Sequence, residues 1–148
     1  TTALKVLGPG YVSMKLWDQG IRLYGLPYYA TADTLKNKAE LVAAFVRAAG
    51  KGWAYAKENP EKAVELLIAE YPNLVQADEL AAAPVMFSYQ FTGNTKANGW
   101  ASFDLDVWKE QIDTYDALGE FAAGRPKLEN VATTAILEMT KDARPKIG

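Results

Sequence analysis

The chain has 148 residues, 49% of them hydrophobic and 23% charged, with a formal net charge of -2. That length and apolar content suffice for one globular core, and the slight acidity argues against a nucleic-acid binder, which carries a basic patch or stripe. Cys and His are both absent, which removes disulfides, thiolate nucleophiles, the commonest general base near neutral pH and the commonest transition-metal ligand.

Taken from the start, TTALKVL lacks the basic, apolar and small-residue sections of a signal peptide, so an exported protein is expected here in mature or truncated form. No stretch reaches the roughly 18 consecutive apolar residues that a membrane-spanning helix needs. Ala3 to Leu7 reads as a short strand closed by Gly8-Pro9-Gly10. Tyr11 to Trp17 fits either a helical turn or two or an irregular loop, and Asp18-Gln19-Gly20 breaks the chain again. Ile21 to Ala30, with Ile, Leu and three Tyr, has strand composition. Pro27 assigns it to an edge or bulged crossing segment.

Thr31 caps a helical turn over Ala32 to Lys36. Asn37 then suits the cap of the next helix, with Glu40 three positions on in a capping-box arrangement. That helix runs from Lys38 to about Glu58 and carries two adjacent apolar stripes: Leu41, Phe45, Ala48, Gly52 and Tyr55, then Val42, Val46, Ala49, Trp53 and Ala56. Two stripes predict cover from two sides, and Gly50 and Gly52 predict close approach of another backbone. Asn59-Pro60 stops this helix and starts the next, an amphipathic one over Lys62 to Tyr71 that ends before Pro72.

Asp78 to about Phe87 predicts a further helix with a kink at Pro84. Tyr89 to Ser102 is polar and rich in Gly and Asn, and reads as a long loop of the kind that is more often functional than decorative. Asp104 or Asp106 starts a helix to about Leu118, with Trp108, Ile112, Tyr115 and Leu118 in register. Glu129 to Thr140 is the last helix, with Val131, Ala135, Ile136 and Met139 on one side. The fold class expected is mostly α with minor β, in a single domain over residues 1–148.

Four segments carry a family likeness: YGLPYYAT followed by ADTL, ELVAAFVRAAGKGWAYAKENPEKAVELL, WASFDLDVWKEQIDTYDALGEF, and KLENVATTAILEM. In their order and spacing they resemble the periplasmic solute-binding proteins of the thiamine-pyrimidine-synthase-like class, which serve ABC importers. The resemblance covers nearly all of residues 20–142. It implies the C-terminal portion of a periplasmic-binding-protein-like type II α/β fold, in which two lobes joined by crossing strands hold ligand in their cleft and close by hinge motion. It places the crossing strand at about 21–30 and helices from about 38 to 142. It also implies that the chain is about half the family's length and lacks the early lobe with its Gly-rich ligand loops. A fragment is therefore expected, or a derivative that pairs with a second polypeptide or with itself.

The implied function is capture of a small organic solute, such as a thiamine-precursor pyrimidine, for a membrane permease, in the periplasm or another extracytoplasmic space. No enzyme activity, cofactor or nucleic-acid partner is expected. The related fungal pyrimidine synthase consumes its own histidine and carries a Cys-rich motif, neither of which this chain possesses. An alternative from another class is a helical protein-interaction or regulatory module that docks through its wide apolar faces.

Five residues are nominated as ligand-binding: Tyr24, Tyr28, Gln90, Asn94 and Trp100. Tyr24 and Tyr28, on one face of the expected strand with Leu26, are either stacking walls for a planar ligand or core aromatics. The amides of Gln90, Asn94 and Asn98, with Trp100, orient a polar heterocycle without adding charge, or belong to a solvated loop anchored by the Trp. Trp17-Asp18 offers a further stacking surface and acceptor, whereas Trp53 and Trp108 read as core. The acidic pairs Glu58/Glu61 and Asp104/Asp106 fit helix starts, and Asp113/Asp116 fits a solvated face. No metal site is expected from them.

Overall fold

The computed structural model describes residues 6–25 and 27–147. Val6 and Leu7, the described end of the expected first strand, are helical, and its remainder lies outside the described residues. The ambiguous stretch before Gly20 resolves as irregular chain and a 3-10 turn, Trp17–Gln19, closed by Gly20 at φ +84°, a conformation in which glycine has no Cβ penalty.

The described residues of the segment expected as a strand from Ile21 to Ala30 are irregular, and among the described residues no strand is present. A strand requires a neighbour to complete its ladder, and none is offered among the described residues. Side chains hold the segment instead. Tyr24 N donates to Gln111 Oε1 at 3.0 Å, Asp104 N donates to Tyr24 Oη at 2.9 Å, and Arg22 makes a two-pronged ion pair with Glu110. The minor β content is therefore corrected to none among the described residues; the chain is mostly helical.

Thr31 opens the helical part as expected. Its Oγ1 accepts from Thr34 N at 3.1 Å, ahead of α1 (Ala32–Asn37). Asn37 does not cap the long helix: it ends α1 and donates from Nδ2 to Asp33 Oδ1 at 2.7 Å, so its side chain is already engaged. Lys38 takes the cap position of α2 (Ala39–Glu58) without a side-chain bond. Asn59 turns back to donate to Tyr55 O at 3.1 Å, closing α2, and Pro60 supplies the first residue of α3 (Pro60–Glu70).

The fourth helix, α4 (Gln76–Gln90), continues through Pro84. Tyr89 to Ser102 is not a long loop. It contains the end of α4 and a short helix, α5 (Gly93–Asn98), started by a reciprocal cap in which Thr92 N donates to Thr95 Oγ1 at 2.7 Å and Thr95 N donates to Thr92 Oγ1 at 3.4 Å. Two satisfied backbone donors outweigh the low helix propensity of Gly and Asn. Asp104 caps α6 (Leu105–Ala117), accepting from Asp106 N at 2.9 Å.

The expected last helix is broken. A 3-10 turn, Leu128–Asn130, is followed by irregular chain and then α7 (Ala135–Thr140). Thr133 Oγ1 accepts from Ala135 N at 3.2 Å, the local side-chain bonding by which Thr competes with a continuing helix.

The long α2 is the hub, packing against α1, α3 and α7, while α3 pairs with α4. The core joins Ala43 and Val46 of α2 to Phe91, Trp100 and Ile136. The close approach expected of another backbone is made at Gly50 by side-chain rings instead: a Cβ there would lie 3.1 Å from both Trp100 Cε3 and Pro145 Cδ, whereas one on Gly52 would meet open space. The expected cover from two sides is present on one side only. Ala43, Val46 and Gly50 are buried, but Leu41 is 64% and Phe45 50% exposed.

Candidate functional site

Two aromatic groups flank the segment from residue 21 to 30, and Tyr24 and Tyr28 belong to different ones. Tyr24 is half-buried, with ring centroids 5.9 Å from Trp17, 6.3 Å from Phe103 and 5.6 Å from Trp108. Such spacings suit tilted and edge-to-face contacts. With its hydroxyl and backbone N–H both engaged, Tyr24 anchors this stretch to the start of α6. Trp108 Nε1 is buried there without a hydrogen-bond partner among the described residues.

Tyr28 is 54% exposed. Its ring lies edge-on to Phe45 at 5.2 Å and 5.8 Å from Trp100, and its hydroxyl accepts from Trp53 Nε1 at 3.3 Å. Trp100 is 1% exposed and donates from Nε1 to Gln90 Oε1 at 3.2 Å. The structure thus brings Tyr28, Gln90 and Trp100 together, with Trp100 beneath and the other two reaching the surface.

Asn94 is not drawn into this group. It is exposed on α5, donating to Ser102 O at 3.1 Å and accepting from Asn98 Nδ2 at 2.7 Å. Trp53, read as core, packs partly buried against the central cluster, and Trp17 is exposed beside Tyr24.

Sequence reasoning did not single out Arg144, which fixes this site from below. Buried, it donates from Nη1 to Gly99 O at 3.0 Å, Trp100 O at 2.7 Å and Ser102 Oγ at 2.7 Å. Burial pushes its pKa down, opposed by the charge of Glu138. Trp100 N donates to Pro145 O at 2.8 Å. The turn itself is strained: Gly99 has φ +89° and Ala101 has φ +65°, an uncommon value for a residue with a Cβ. The Gly-Trp pair was the available signal for that turn; an isolated Arg near the chain end carries none.

Two shallow grooves flank α6. One, of about 380 Å3, is lined by Lys109, Ile112 and residues 125–129, and the other, of about 350 Å3, by residues 20–22 with Glu110, Asp113 and Thr114. Neither is lined by the nominated residues. Their rims are knit by ion pairs: Lys109 Nζ to Asp113 at 3.1 Å, Arg125 to Asp113, and Arg125 Nε to Asp116 at 3.8 Å. Asp113 consequently has its pKa lowered, chiefly by the Lys109 bond. Asp104 caps α6, while Glu58 ends α2 rather than starting a helix.

Residues 2–63 match the family described as NMT1/THI5 like. The formylaminopyrimidine-binding protein of Halalkalibacterium halodurans is 31% identical over 105 residues, covering 64% of this chain. The match spans 31% of that relative's length. No solved structure matches the chain. The family match contains Tyr24, Tyr28, α1 and α2; Gln90, Asn94 and Trp100 lie beyond it.

Proposed function

We propose that this NMT1/THI5-like chain, related to that family through residues 2–63, is the ligand-binding component of an ABC importer. In this reading it works outside the cytoplasm, captures a small planar solute of the thiamine-precursor pyrimidine class, and forms part of a two-lobed periplasmic-binding-protein-like fold. The observation that carries it is the 31% identity over 105 residues to a formylaminopyrimidine-binding protein.

The Tyr28 patch supports the same reading. A half-exposed phenol ring and an amide, held by a buried indole, provide a stacking face and an orienting polar group. Tyr28 and Gln90 are the direct contacts, Trp100 supports them, and Tyr24 and Asn94 stand at the margins. The remaining lobe or a second copy of the chain covers the open side of α2, and a permease receives the loaded protein.

A second reading, a helical protein-interaction module, is favoured by the exposure of Leu41, Phe45 and Tyr55. Addition of pyrimidines, sulfonates and nitrogenous metabolites separates the two. A ligand that binds only the folded chain raises its melting temperature by mass action, by about 2.7 kcal/mol of stabilisation at a hundredfold excess over Kd. The solute-capture reading expects such a rise with a pyrimidine. A flat response across the whole panel, with a protein partner co-purifying instead, would transfer the assignment to the second reading.

A further inference from the structure

An indole N–H can only donate, and two indoles set the polarity of the Tyr28 patch. Trp100 Nε1 donates to Gln90 Oε1 at 3.2 Å, so the amide oxygen faces the indole and the NH2 is turned away with donors to give. Trp53 Nε1 occupies a lone pair of the Tyr28 hydroxyl at 3.3 Å, so the phenolic proton is also left to donate. Neither the Gln90 NH2 nor the Tyr28 proton has an acceptor among the described residues.

The arrangement resists reversal. Flipping the amide would set its NH2 against the indole N–H, leaving two donors unsatisfied. Rotating the indole is opposed by Gly50, against which its ring is pressed, and by the bonds that Arg144 and Pro145 make to the Gly99 and Trp100 backbone.

We propose that the Tyr28–Gln90 patch is a donor-presenting site that selects planar solutes by their acceptors, a carbonyl oxygen or an unprotonated ring nitrogen. A solute that offers only an ammonium or amide N–H at the same place leaves these donors without a partner. This rests on the reading above of Tyr28 and Gln90 as ligand contacts, and adds the chemistry they accept. Tyr28 and Gln90 reach the surface, so a solute that covers them must supply acceptors to replace the water that these donors give up.

The test is calorimetric titration of the chain with a formylaminopyrimidine and with the same pyrimidine stripped of its formyl group. The formyl carbonyl is an acceptor, whereas the freed amine offers donors. The native chain is expected to bind the formyl compound about tenfold tighter or more. Gln90→Glu keeps an acceptor for Trp100 Nε1 and removes both outward donors, so it should erase or reverse that ratio. Trp100→Phe, which releases the amide to rotate, should bring the ratio toward one. Tyr28→Ala should weaken both ligands. If both ligands bind, Tyr28→Ala weakens them and the ratio is the same in Gln90→Glu as in the native chain, the polarity inference is overturned and the site stands. If neither ligand binds, or Tyr28→Ala changes nothing, the site itself is misplaced and the inference goes with it.

Discussion

Gly50 and Gly52 stand two positions apart on α2 and meet opposite surroundings. A Cβ on Gly50 would press on the Trp100 indole and the Pro145 ring, both at 3.1 Å, and neither rigid ring can swing aside. Overpacking of that kind costs about 1–3 kcal/mol, more than the roughly 1 kcal/mol of helix propensity that Ala returns. Gly50→Ala is therefore expected to lower the midpoint of urea unfolding. Gly52→Ala, facing open space, should raise it by about 0.5–1 kcal/mol. Both glycines break the same helical pattern, so the sequence alone assigns them one cause; only the position of Trp100, 50 residues on, separates them. Arg144 poses the same difficulty in sharper form. Its three Nη1 bonds reach back more than 40 residues, a relation that no local pattern expresses. Arg144→Met leaves two buried carbonyls short of a donor and should cost about 2–4 kcal/mol by the same measurement. Arg144→Lys should rescue little, because a point ammonium cannot reproduce the planar fork.

Among the elements, those read correctly were those whose stability follows from an amphipathic face. The helix expected from Lys38 to Glu58 is present as α2, starting at Ala39, and of the two starts expected for α6, Asp104 or Asp106, the structure has Asp104 as the cap. The misread elements depend on partners that periodicity does not register. Residues 21–30 have strand composition but no neighbouring strand, and the reciprocal Thr92 and Thr95 cap makes a helix out of loop-like residues. Of the nominated site, Tyr28, Gln90 and Trp100 converge because α4 ends beside the Gly99 turn, whereas Asn94 is turned toward Ser102 and Asn98. Ion pairs along α6 give this element a distinct pH response. The bond from Lys109, and after it Arg125, lowers the pKa of Asp113 from its ordinary 3.8. The group is exposed, so salt weakens the effect. Because the folded value is depressed, the stabilisation is fully present above the ordinary carboxylate pKa and is lost as pH falls through the lower folded one. An NMR titration of the Asp113 carboxyl should give a midpoint below 3.8, and Lys109→Met should move it upward. A midpoint unmoved by that substitution would remove Lys109 as the principal cause.

On the scale of the whole molecule, the apolar surface is larger than this chain covers. Leu41, Phe45 and Tyr55 line the open side of α2, while Leu66 on α3 and Val85 and Tyr89 on α4 are also exposed. Surface of that kind returns about 25 cal/mol for each Å2 withdrawn from water, and contiguous apolar patches mark sites of association. The partial match to a relative more than twice as long as the aligned region offers a physical reason: in the proposed two-lobed protein, further chain packs on this side. Presented by itself, α2 should find a substitute in a second copy. The chain is expected to sediment as a species larger than a monomer at tens of micromolar, through the Leu41 and Tyr55 side of α2. Leu41→Lys combined with Tyr55→Lys places two charges on that side without touching the Tyr28 patch or the buried line of Ala43, Val46 and Gly50. It should return the chain to a monomer with its helical circular dichroism intact. A native chain that sediments as a monomer across that range would mean the open face of α2 is tolerated in water, and would remove the case for a covering lobe or copy drawn from it.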